Sequence, residues 1–83
     1  MIKVEIEPSK YGYLLLYPVS RKVARRIAKS NQYDHCAAVF LDDPEHFLKR
    51  LSSSQKRNLN NGWKINILMD EWEYRHMVGG QSD

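Results

Sequence analysis

Two prolines, Pro8 and Pro18, each close a short apolar segment at the start of this chain, and that punctuation constrains the fold more than any other feature. Proline has no N–H to give a sheet ladder, so it ends a strand or sits at its margin. Before Pro8, Ile2, Val4 and Ile6 alternate with Lys3, Glu5 and Glu7, the period of a strand with one face on a core and one in water. Before Pro18, Tyr13 to Tyr17 is apolar or aromatic throughout, the pattern of a central strand covered on both faces. Pro8-Ser9-Lys10-Tyr11-Gly12 joins them as a hairpin loop, with Gly12 free to take positive φ. The chain therefore begins as a hairpin that needs further elements to cover it.

Those elements follow in order. Ser20 caps a helix from about Arg21 to Lys29, in which Val23, Ala24, Ile27 and Ala28 form the sheet-facing side. A third strand is expected over His35 to Leu41, where Val39 and Phe40 favour extended backbone. Asp42-Asp43-Pro44-Glu45 starts a second helix with an Asp cap, proline at the first helical position and an acid in the first turn. Phe47, Leu48 and Leu51 supply its buried side. Ser52 to Ser54 interrupts it, and Ser52 with Gln55 is a capping-box pattern that restarts it, until Asn58, Asn60, Asn61 and Gly62 end it by turn chemistry.

A fourth strand is expected to put Trp63, Ile65, Ile67 and Met69 on one face and Lys64 and Asn66 on the other. Two patterns compete in the segment that follows. Asp70 and Glu73 suit a helix start, whereas alternation through Trp72, Glu73, Tyr74 and Arg75 suits a strand or extended arm, which the aromatics favour. The sum is an α+β two-layer sandwich in the order β-β-α-β-α-β, a four-stranded mixed or antiparallel sheet with two helices on one face. Residues 1–78 form a single domain and 79–83 a fraying, disordered tail.

Size limits what such a sandwich can do. For 9.8 kDa, surface scaling gives roughly 5,200 Å² exposed when folded against about 14,000 Å² unfolded, enough for one thin core and little room for an enclosed active site. No apolar run, Leu14 to Tyr17 included, approaches the ~20 residues a bilayer span needs, and the opening Met1-Ile2-Lys3-Val4-Glu5 is no signal peptide. A cytoplasmic protein without membrane contact is expected. Cys36 is the single cysteine, and without CxxC or HxxxH spacing neither a disulfide, a metal site nor a cofactor is expected.

Charge is where the chain is most informative. The net charge of +3 is a near-cancellation: Pro8 to Tyr33 holds six bases and no acid, and Asp34 to Leu48 holds four acids and no Lys or Arg. Lys49 to Lys64 then adds five bases, and Ile65 to Asp83 four acids against one arginine. Arg21 and Lys22 stand in a first helical turn, where the positive end of the helix dipole disfavours cations, and Arg25, Arg26 and Lys29 continue the same side. Broken local rules concentrate at functional sites. These five residues are the candidate anion or partner-binding surface, against the plainer alternative of a solvated basic face neutralised by the chain's own acids. Lys49, Arg50, Lys56 and Arg57 form a secondary basic cluster.

The expected partner is nucleic acid or a nucleic-acid-handling complex, bound without catalysis. Reversing Arg25 and Arg26 is expected to abolish binding and spare the fold. Tyr11, Tyr13 and Tyr17 are candidate stacking platforms for bases, although no RRM, KH or zinc-finger pattern occurs. A protein-directed inhibitor or adaptor, of the small basic kind common among phage and mobile-element proteins, is the alternative. Trp72 and Tyr74, in an acidic aromatic stretch, are a candidate protein interface, including one for a homodimer. Catalytic motifs are absent: of the available His35, Cys36, His46 and His76, the neighbours His35 and Cys36 point to opposite faces of a strand, and Asp70, Glu73 and His76 share a face only if their segment is helical. A metal-independent RNase is the remaining enzymatic alternative, with no catalytic residue assigned.

Overall fold

The computed structural model describes residues 1–30 and 38–79 and shows the expected two-layer α+β sandwich. Strands β1 (Ile2–Pro8), β2 (Leu14–Pro18), β3 (Val39–Leu41) and β4 (Ile65–Met69) form one antiparallel sheet in the order β3-β2-β1-β4. Helices α1 (Arg21–Ser30), α2 (Glu45–Leu48), α3 (Ser53–Asn60) and α4 (Glu71–Gly79) lie over it, α1 packing on β2 and α3 on β1 and β4.

Register follows from the alternation of apolar residues. Val4 is opposite Pro18 on one side and Ile67 on the other, and Ile6 is opposite Leu16 and Ile65, so apolar residues line up on one face. That face carries the core, in which Val4, Ile6, Leu16 and Val39 are fully buried against Ile27 of α1, Phe47 of α2, Leu59 of α3 and Tyr74 of α4. Both prolines occupy the last position of their strands. Ser9 accepts from the Gly12 N–H and donates its own N–H to the Tyr13 carbonyl at 3.0 Å, and Gly12 at φ 93° turns the chain.

The helix boundaries show which sequence signals were decisive. The Ser52 capping box forms in full: Ser52 Oγ accepts from the Gln55 N–H at 3.2 Å, and the Gln55 side chain accepts from the Ser52 N–H at 2.9 Å. The expected interruption thus divides the second helix into α2 and α3. At the far end the Trp63 N–H reaches the Asn58 carbonyl and the Gly62 N–H the Leu59 carbonyl, a Schellman closure that Gly62 permits with φ 83°.

Four expectations need correction. No Asp side chain caps α2; Pro44 itself holds the N-cap position, so this single turn rests on the packing of Phe47. The segment after β4 is the helix α4 rather than a strand, because Asp70 caps it: its carboxylate accepts from the Trp72 N–H at 2.8 Å and its carbonyl from the Tyr74 N–H. The middle strand β2 is covered on one face only, leaving Leu15 and Tyr17 half-buried. Trp63 lies before β4 and is largely exposed instead of sharing the face of Ile65 and Met69. The expected start of the third strand, including His35 and Cys36, lies outside the described residues, as does the tail from Gly80 onward; Gly79 closes α4.

Candidate functional site

The basic surface is built on α1. Ile27 is its one fully buried anchor, with Val23, Ala24 and Ala28 half-buried around it, so the helix is held by a narrow apolar stripe. Ser20 caps it: its carbonyl accepts from the Ala24 N–H at 2.9 Å and its hydroxyl from the Val23 N–H at 3.4 Å. Arg21, Lys22, Arg25, Arg26 and Lys29 are all exposed on the outward side. The first turn contains no acid to offset the helix dipole.

These five cations are not equivalent. Arg26 pairs with Glu71 in the first turn of α4, and Glu71 also accepts from Arg75 at 3.0 Å, one helical turn further along. Among the described residues, no carboxylate lies within ion-pairing distance of Arg21, Lys22, Arg25 or Lys29. Among the described residues, neutralisation by the chain's own acids is therefore seen for Arg26 alone of the five. Reversal of Arg26 would set its carboxylate against that of Glu71, a repulsion that reversal of Arg25 does not bring among the described residues.

The secondary cluster divides in the same way. Arg50 pairs with Glu73 of α4 and stacks over the Phe47 ring at 5.7 Å, so it is committed to joining α2 to α4. Lys49, Lys56 and Arg57 are exposed without such partners among the described residues. Lys64 stands on the other face of the sheet, 3.8 and 3.9 Å from Glu5 and Glu7.

Helix α4 sits between the two clusters for a simple angular reason. Residues two apart on a helix point about 200° from each other, so Glu71 is turned toward Arg26 of α1 while Glu73 is turned toward Arg50. Tyr74 points inward, fully buried, and donates its hydroxyl to the Leu16 carbonyl at 3.0 Å. Trp72 then points outward and is 81% exposed on the crest. Of the two residues expected at a protein interface, only Trp72 is available; Tyr74 belongs to the core.

On the far side of this crest Trp72 borders a cleft of about 520 Å³, floored by Leu41, Phe47 and Met77 and rimmed by Asp43, His46, Arg50, Glu73 and His76. The structure thus brings together His46 and His76, two histidines that sequence spacing could not connect. The signal that pairs them is the Asp70 cap, since only a helical α4 turns His76 to the side of Glu73 and Met77.

The tyrosines lie elsewhere. Tyr13 packs edge-on against Phe40 at 5.6 Å on the helix-free face of the sheet, where Leu15 and Tyr17 continue an apolar stripe beside Glu5 and Glu7. Lys64 stands beside both carboxylates on this face. Among the described residues no cluster of His, Cys, Asp and Glu has metal-binding geometry, and no helix is long and apolar enough to cross a membrane. Compared with known proteins, the chain matches no family model, no curated protein and no solved structure.

Proposed function

We propose that this protein is a binding domain that engages single-stranded nucleic acid, or the nucleic-acid face of a larger complex, through α1. The observation that carries this is the set of four exposed cations, Arg21, Lys22, Arg25 and Lys29, without a carboxylate partner among the described residues. Cations concentrated at a helix start against the dipole destabilise the free protein, and an anion at that surface relieves the cost. Trp72, on the neighbouring helix crest, supplies a planar surface on which an unpaired base can stack, and this favours single strands over duplex. The Glu71–Arg26 pair holds the crest beside the cations.

A second mode of action is capture of a protein partner, as an inhibitor or adaptor. It is favoured by the apolar stripe on the helix-free sheet face, where Phe40 remains 51% exposed. Affinity capture from lysate with and without nuclease treatment separates the two. Loss of all bound material on nuclease treatment supports direct nucleic-acid binding. A stoichiometric protein that survives nuclease, and is released by Phe40→Glu rather than Arg25→Glu, overturns it in favour of the adaptor.

A further inference from the structure

The two edges of the sheet are built differently. Edge strand β3 is three residues long and runs into Asp42-Asp43-Pro44, the short length, charge and proline that keep a sheet edge from pairing with another chain. Edge strand β4, Ile65-Asn66-Ile67-Leu68-Met69, is five residues long and contains no charge, no proline and no glycine. Its one strand neighbour is β1, and among the described residues its backbone makes no bond outside that ladder. Leu68, on the helix-free face, is 68% exposed, and Ile67 on the other face is only half-buried although its neighbours Ile65 and Met69 are in the core.

We propose that β4 pairs with β4 of a second copy, antiparallel and about a two-fold axis through Ile67, to make one continuous eight-stranded sheet. The second copy is singled out by charge. In a register centred on Ile67, Ile65 meets the partner copy's Met69, Asn66 meets its Leu68, and Lys64 meets its Asp70. Lys64 and Asp70 then form opposite-charge cross-strand pairs at both ends of the paired stretch. Lys64 is half-exposed with its nearest carboxylates at 3.8 and 3.9 Å, and one Asp70 oxygen is used in capping α4, so each has capacity for a further contact. Pairing satisfies the free edge of the backbone and covers the Leu68 side chain, the two features that leave β4 open to association in a lone chain.

A two-fold axis normal to the sheet keeps the helices of both copies on the same side. Both α1 helices then share one surface, although self-association stands without any nucleic-acid function.

Sedimentation equilibrium over the micromolar range is the test, with Asn66→Lys/Leu68→Lys as the variant. Both positions are exposed on the helix-free face, so the monomer fold is expected to survive, checked by circular dichroism. The wild-type protein is expected at twice the 9.8 kDa chain mass. In the variant, two facing Lys–Lys pairs raise the dissociation constant by about tenfold or more, whereas Phe40→Lys on the opposite edge leaves it unchanged. A wild-type monomer throughout, or a dimer insensitive to the β4 lysines, overturns the proposal.

Discussion

Replacing Lys22 by glutamate should stabilise the protein while weakening what it binds, a combination that surface mutations seldom show. Lys22 lies in the first turn of α1, where no acid is present and where the helix dipole presents partial positive charge. Removing the cation and adding an anion each contribute a few tenths to 1 kcal/mol there, so a gain of about 1 kcal/mol is expected. The introduced carboxylate would also stand four residues before Arg26 and three before Arg25, spacings that add a few tenths more. For a domain of this size that corresponds to a rise in Tm of roughly 4–8 °C. Binding moves the other way. If Arg21, Lys22, Arg25 and Lys29 all contact phosphates, a single strand should bind with a log–log salt slope of about −2.8, and losing Lys22 reduces it to about −2.1. Differential scanning calorimetry and fluorescence anisotropy with a labelled oligonucleotide measure the two effects. A fall in Tm would refute the dipole argument, and unchanged affinity would remove Lys22 from the contact surface.

Other consequences follow from the packing. Tyr74→Phe removes the buried hydroxyl bond to the Leu16 carbonyl and should cost about 1 kcal/mol in urea denaturation, with no effect on oligonucleotide binding. Ser52→Ala abolishes the capping box at α3 and should cost ~1 kcal/mol by the same assay. Arg26→Glu should lower stability through repulsion from Glu71, in contrast to Arg25→Glu, which should be close to neutral; thermal denaturation of the two variants compares a tied arginine with one that has no carboxylate partner among the described residues.

Much of the fold was legible because its signals are local. The prolines end β1 and β2, and the Ser52–Gln55 box and Gly62 set the limits of α3 through bonds within a few residues of each other. Less legible were features decided by tertiary packing. Nothing in Tyr13 to Tyr17 tells that helices cover one face of β2 and not the other, because an apolar strand reads alike whether its second face meets a helix layer, a partner or water. In α4, outward Trp72 spoiled the helical apolar pattern that Tyr74, Met77 and Val78 share, and aromatic strand propensity then outweighed the Asp70 cap.

The candidate surface shows the same division. Blocks of charge located Arg21, Lys22, Arg25, Arg26 and Lys29 without a structure. Their sorting into one tied cation and four without a carboxylate partner among the described residues depends on Glu71, which is 45 residues from Arg26 and reaches it only because α4 is helical. Likewise the meeting of His46 and His76 at one cleft requires α2 and α4 to be adjacent, which no spacing encodes.

The central claim is that Arg21, Lys22, Arg25 and Lys29 of α1 are the contact surface. Its most direct measurement is the salt dependence of binding to a single-stranded oligonucleotide, compared between the wild-type protein and a variant carrying Arg21→Gln, Lys22→Gln, Arg25→Gln and Lys29→Gln. The wild-type slope should be close to about −2.8, and the variant's should approach zero as its affinity collapses. Equal slopes in the two proteins, or binding that ignores salt altogether, would contradict it.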